Sequence, residues 1–147
     1  MRILEAAGVL YKPHYYDESI VDGIGVANAL GENPEVVFKT LVCSSASGAH
    51  YVFCIPVANE LNLKLAAKAV NEKSVSLIHL KELLPLTGYL HGGCSPIGLK
   101  KQFPLVVDET ALLFSSFCIS GGKRGTQVEI DPLSLKSLVG ASFFSLT

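Results

Sequence analysis

The densest run of β-branched and apolar positions, Val36 to Ser44, predicts a strand. The turn-prone Ser44-Ser45-Ala46-Ser47-Gly48 leads into a second such run, His50 to Pro56, so the two predict a β-hairpin. Helical spacing governs other stretches. Leu63, Ala66, Ala67 and Val70 fall on one buried stripe of a helix that Asn62 caps and that runs to Val70. Asp22 is placed to cap a helix through Leu30, with Gly31 closing it. Asp131-Pro132 puts a cap and then proline at the first helical position of a helix to Val139. Arg2 to Gly8 reads as a short helix, and Lys81 to Leu84 as a brief one that Pro85 cuts off.

Further extended segments are expected at Lys12 to Tyr16, Ser74 to Ile78, Leu105 to Asp108, Leu113 to Ser120, Thr126 to Ile130 and Ala141 to Leu146. A turn or short helix over Glu109 to Leu112 separates two of them. Thr87 to Gly98, with four glycines and one proline, reads as structured loop, and Gly121 to Gly125 as a second loop. Hairpins mixed with helices predict an α/β fold with a mixed sheet, not an all-parallel one. Neither repeats nor a linker divide the chain, so a single domain over residues 1–147 is expected.

Composition narrows this picture. Of 147 residues 49% are hydrophobic and 17% charged, with a mean hydropathy of +0.40, which excludes disorder. The longest apolar runs, such as Tyr51 to Ile55, fall far short of the roughly 18 residues of a membrane span. Glu5 interrupts the apolar start and no small-residue cleavage site follows it, so a cytoplasmic protein without a secretory signal is expected. A net charge of −1 argues against DNA or any long duplex as a partner. The positive charge is local, at Lys100-Lys101 and Lys123-Arg124, each beside a glycine-rich segment, which suits one or a few phosphates. Cys43, Cys54, Cys94 and Cys118 form no C-x-x-C pair, and His91 with Cys94 is the only close ligand pair, so neither a metal nor a disulfide is expected.

Three segments could carry chemistry. Lys39 shares a strand face with Val37 and Leu41, unusual company for a solvated lysine. It reads either as a desolvated point charge for a phosphate or carbonyl, or as a lysine snorkelling at a strand edge. Gly92-Gly93 either offers main-chain N–H groups to an oxyanion or makes a plain tight turn. Ser120-Gly121-Gly122-Lys123-Arg124-Gly125 lacks the G-x-x-x-x-G-K-[ST] pattern and is followed by a strand, so a nucleoside-triphosphatase is excluded. It remains a glycine loop with a hydroxyl at its entrance and two cations, or a solvated hairpin loop. Cys94 with His91, three residues apart in one loop, makes a poor nucleophile and base.

In order and spacing these segments resemble the YbaK family of free-standing aminoacyl-tRNA deacylases. The resemblance rests on Val37-Phe38-Lys39-Thr40-Leu41, Ile55-Pro56-Val57, Leu61-Asn62-Leu63-Lys64, Thr87 to Gly98, Lys100-Lys101 and Ser120 to Gly125. The G-Y-x-x-G-G-x-S-P and S-G-G-K-R-G forms are similar to the branch acting on Cys-tRNA(Pro). The resemblance implies a mixed sheet curled into a partial barrel with surrounding helices. It also implies clearance of mischarged tRNA without metal or cofactor, and names prolyl-tRNA synthetase as a candidate partner. The substrate thiol would attack its own carbonyl, so the protein need only orient it and stabilise the oxyanion.

Carried over by position, Lys39 would hold and polarise the charged 3′ end, and the main chain of Gly92 and Gly93 would face the ester carbonyl. Ser120 would line the pocket and Tyr16 contact the aminoacyl or adenosine group. Ser95, Gly121, Lys123, Arg124 and Gln127 complete the implied substrate-binding set. The resemblance leaves two rivals: the same fold clearing another amino acid, and a non-catalytic tRNA or synthetase-binding module. Gln127 stands where the family commonly has an acidic residue, and the Asp22-Gly23 turn lacks a common aromatic. Both departures are expected around the pocket.

Overall fold

Side-chain caps set the helix ends in the computed structural model, which describes residues 1–147. Asp22 accepts the N–H of Gly25 at 2.8 Å and opens α2 (Gly23–Leu30), which Gly31 closes at φ 67°. Asn62 accepts from Lys64 and Leu65 to start α3 (Leu63–Ala69). Asp131 accepts from Leu133 at 2.8 Å ahead of α5 (Pro132–Val139). Such a cap satisfies an N–H that the helix itself leaves unpaired, and each contributes about 1 kcal/mol. The remaining helices are α1 (Arg2–Ala6) and α4 (Leu80–Thr87).

Eight strands form two sheets. β1 (Tyr11–Tyr15), β7 (Thr126–Ile130) and β6 (Phe117–Ser120) make an antiparallel three-stranded sheet in that order. β4 (Val75–Leu77), β2 (Phe38–Ser45), β3 (His50–Pro56), β5 (Leu105–Asp108) and β8 (Ser142–Phe144) make a mixed five-stranded one. Within it β3–β5 and β5–β8 are parallel, while the β2–β3 hairpin pairs Phe38 with Pro56 through Ser44 with His50. The two sheets meet at one parallel bridge, Val37 to Cys118, with Cys118 N–H donating to the Val36 oxygen at 2.8 Å. The α/β class and mixed pairing expected from the sequence are what the chain adopts, with the sheet divided in two at this seam.

The period of two then sorts the side chains. Phe117, Ile119, Val128 and Ile130 of the small sheet face Phe38, Val52, Cys54 and Val107 of the large one across the main core. Phe38 and Phe117 meet edge to face with centroids 5.0 Å apart. Burying a side chain such as Phe117 contributes about 1.5–3 kcal/mol. Cys43, Phe53, Ile55 and Val106 on the far face of the large sheet pack against Ala66 and Ala67 of α3. Val26 and Ala27 of α2 pack on Val37, Val57 and Cys118 at the seam. No helix is long and apolar enough to cross a membrane.

Four sequence expectations are corrected. Pro85 does not end α4, which continues through Thr87 to Gly88 at φ 82°. The proline forfeits one ladder bond, but Thr87 Oγ1 donates to the Leu83 oxygen at 2.7 Å and Gly88 N–H to that of Leu84 at 2.9 Å. Leu113 to Ser116 is not strand, because buried Asp108 accepts from Thr110 N–H and hydroxyl and starts a 3-10 turn over Glu109–Leu113. β8 stops at Phe144 because Leu146 N–H turns inward to Asp108 Oδ1 at 2.9 Å. Leu63, placed on the buried stripe of α3, is 41% exposed, whereas Ala66 and Ala67 are buried.

Candidate active site

The edge of β2 is open where the two sheets part. β4 pairs with β2 only over Cys43 to Ser45, and the bridge to Cys118 engages only Val37. Between them lies a pocket of about 390 Å³ bordered by Phe38 through Leu41, by Val21, Asp22 and Gly23 at the start of α2, and by the loop carrying His91, Gly92 and Cys94. Ser120 and Gln127, from the outer face of the small sheet, complete its wall. The sheet gap supplies a concave site flanked by main chain, a common place for small-molecule chemistry.

Lys39 is half-buried here and is the only lysine or arginine lining the pocket. It forms no ion pair: the sole one in the chain joins His14 to Glu129. Asp22 is the pocket's only carboxylate. It caps α2 through Oδ2.

The two glycine loops lock together at the rim. Arg124 Nε donates to the His91 oxygen at 2.8 Å. A Cβ on Gly93 would lie 3.0 Å from Lys123 Cα and 3.1 Å from Arg124 N, so only glycine allows this approach. Gly92 adopts φ 85°, in the left-handed region that glycine favours. Gly93 N–H is committed to the Leu90 oxygen at 3.0 Å, whereas the N–H groups of Gly92 and Cys94 make no bond to the rest of the chain. Donors of this kind are what an oxyanion needs.

Of the residues the sequence singles out, Lys39, Gly92, Ser120 and Gln127 line the pocket together. Gly93, Lys123 and Arg124 build the loop contact behind Gly92. Ser95 and Gly121 lie apart, bordering a small cavity of about 50 Å³ that Ser120 also lines. There the Ser95 hydroxyl accepts from Ile97 N–H at 3.1 Å, and Ser120 Oγ accepts from Gly122 N–H at 3.2 Å. Tyr16 packs on the seam cluster beside Val26 and Val37, outside the pocket lining. Two buried polar atoms have no partner: Tyr16 OH and Gln127 Oε1. Gln127 is 5% exposed, and leaving such an acceptor empty costs about 1–3 kcal/mol.

The sequence missed Val21, Thr40, Val57 and Leu83 as pocket walls, since nothing in an isolated apolar or hydroxyl residue marks it. The Asp22-Gly23 turn does line the pocket, as expected of a departure near the site. His91 and Cys94 both line it too. Burial pushes the Cys94 thiol up to about 11, outweighing the opposing effect of Thr87. At neutral pH it is a thiol, not the thiolate a nucleophile requires.

Comparison with known proteins assigns the chain a family. Over its full length the chain is 42% identical to an Enterococcus faecalis protein named "Putative Cys-tRNA(Pro)/Cys-tRNA(Cys) deacylase EbsC", covering 91% of that protein. A crystal structure described as a putative trans-editing enzyme for prolyl tRNA synthetase superposes with a TM-score of 0.88 at 26% identity, over 99% of this chain and 92% of the other. Another, of a hypothetical protein, gives 0.91 at 26% identity over 99% and 96%. The family model for the aminoacyl-tRNA editing domain matches residues 17–138, a span that takes in the Lys39 strand, both glycine loops and Gln127. The chain belongs to the aminoacyl-tRNA editing domain family.

Proposed function

We propose that the pocket deacylates mischarged tRNA, with Cys-tRNA(Pro) as its substrate. The observation that carries this is Lys39, a half-buried cation without a carboxylate partner, at an open strand edge opposite a glycine loop with free N–H groups. The 42% identical relative, named for Cys-tRNA(Pro) and Cys-tRNA(Cys), supports the substrate class. The pocket volume of about 390 Å³ falls in the range of small-molecule sites, as the 3′ aminoacyl end requires. The whole chain, 1–147, is the editing unit in this reading, and it works where tRNA is charged, in the cytoplasm. The neighbour described as a trans-editing enzyme for prolyl tRNA synthetase makes that synthetase the partner to test.

In this mechanism Lys39 and Gly92 N–H hold the ester carbonyl and take up the charge that develops on its oxygen. Gln127 Oε1 accepts from the substrate α-amino group, with Asp22 supplying the negative field a neutral amide lacks. The cysteinyl sulfur attacks its own carbonyl carbon. The C–S bond forms, the ester C–O bond breaks, and the 3′ oxygen leaves as a hydroxyl carrying the thiol proton. Water then opens the thiolactone to cysteine. No protein nucleophile is needed, and Cys94 is not one.

The test is a deacylation panel on Cys-tRNA(Pro), Ala-tRNA(Pro) and Pro-tRNA(Pro), with wild type and Lys39→Ala. Wild type clears the cysteinyl ester first. Lys39→Ala unfolds at nearly the wild-type temperature and loses roughly 10²–10³ in rate, the scale of one oxyanion donor. Full activity of the variant, or no turnover of any ester by wild type, overturns the proposal. A large loss of thermal stability instead assigns Lys39 a packing role.

A further inference from the structure

A second polar cluster lies on the outer face of the three-stranded sheet, one pleat from the pocket. Glu129 follows Gln127 by two residues on β7 and so shares its face, and Cys118 pairs with Glu129 across β6. His14, on β1, reaches the same spot. The ligand atoms of His14, Cys118 and Glu129 all lie within 4.8 Å of one another. His14 Nε2 is 3.0 Å from Glu129 Oε1, and Ser116 Oγ donates to Glu129 Oε2 at 2.6 Å. A separate cavity of about 350 Å³ opens onto Cys118 and Glu129, and Glu32 lines it too. Glu32 forms no ion pair. Although Lys12 lies near enough for its charge to reach Glu129, no lysine or arginine lines this cavity. The cavity therefore sets the unpaired Glu32 carboxylate beside a cluster of sulfur, imidazole and a second carboxylate.

We propose that His14, Cys118 and Glu129 bind a divalent transition metal, zinc by donor type, with Glu32 or water in the fourth position. One nitrogen, one sulfur and one carboxylate oxygen match zinc's preferences, whereas magnesium and calcium take oxygen ligands. Ser116 orients the carboxylate as the outer partner of a ligand does. Without metal, burial with the charges of Glu129 and Glu32 holds the Cys118 thiol up at about 12. Coordination removes that proton to solvent as the metal–sulfur bond forms. Positions 14, 118 and 129 give no ligand spacing in sequence, so the sequence predicts no metal there; strand pairing alone unites them. The bound ion ties β1, β6 and β7 together behind Gln127, and so stiffens one wall of the pocket. This proposal stands independently of the substrate assignment.

Cobalt(II) is the probe, titrated into the chelator-stripped full chain and followed by absorption and calorimetry. The site predicts one ion per chain, a thiolate-to-cobalt charge-transfer band and a raised unfolding temperature. Cys118→Ser removes the band, while Cys43→Ser, buried in the core beside α3, keeps it. His14→Gln weakens binding without touching the core, which guards against misfolding of the cysteine variant. Ser116→Ala weakens it roughly 10–100-fold, as expected for an outer partner. Absence of saturable binding to the folded wild type, or a band that survives Cys118→Ser, overturns the proposal.

Discussion

Arg124 Nε donates to the main-chain oxygen of His91 at 2.8 Å, so one side chain fastens the Ser120–Gly125 loop to the Thr87–Gly98 loop. Gly92 and Cys94, pocket-lining residues of the second loop whose N–H groups are unpartnered in the chain, are thereby held from the first. Arg124→Ala should cost only about 0.5–1.5 kcal/mol in a urea melt, the ordinary worth of one hydrogen bond. Its kcat should fall further than its KM rises, because the loop positions groups that act on the transition state. An unchanged kcat contradicts this role.

Gly93→Ala tests the same contact from the other side. Its Cβ would press on Lys123 Cα at 3.0 Å, a main-chain atom that cannot swing away. Overpacking of this kind costs about 1–3 kcal/mol. Urea denaturation should show that loss together with reduced deacylation, whereas a variant as stable and active as wild type means the loops are not locked.

Much of this was legible beforehand for local reasons. Asp22, Asn62 and Asp131 announce helix starts because a cap is a contact between near neighbours. The β2–β3 hairpin is likewise written into adjacent runs. Lys39 could be singled out because a cation breaks an apolar strand. What stayed hidden depends on distant partners. Pro85 is tolerated because Thr87 and Gly88 satisfy carbonyls near it, and Leu146 leaves the sheet because Asp108 recruits its N–H. That Gly93 N–H is spent on Leu90 while Gly92 N–H is free requires the folded loop. The cluster of His14, Cys118 and Glu129 exists only through the β1–β7–β6 register.

Cys94 is the residue most easily mistaken for a nucleophile. With its thiol held up at about 11, it should react slowly with iodoacetamide at neutral pH. Cys94→Ala should retain deacylation. Rapid alkylation of Cys94 with parallel loss of turnover would show a protein-bound acyl intermediate instead.

Glu129 links the small sheet to acid stability. Hydrogen bonds from Ser116, then His14, hold its carboxyl below the ordinary 4.5. A depressed folded-state value stabilises the protein above the unfolded value, and that contribution disappears as pH falls through the folded one. In metal-free buffer, Glu129→Gln should therefore lose stability relative to wild type above pH 4.5 and converge on it in stronger acid. Parallel Tm curves across that range would exclude this contribution.

The central claim is that the substrate brings its own nucleophile to a pocket that only orients and polarises. Single-turnover deacylation of Cys-, Ser- and Ala-tRNA(Pro) addresses it directly. Serine replaces sulfur by oxygen and changes little else, and a hydroxyl is a far weaker nucleophile at neutral pH. Alanine offers no attacking group. The account predicts that the seryl and alanyl esters lose most of the cysteinyl rate while still competing for the enzyme. Equal rates for the cysteinyl and seryl esters would contradict it and assign the attack to water.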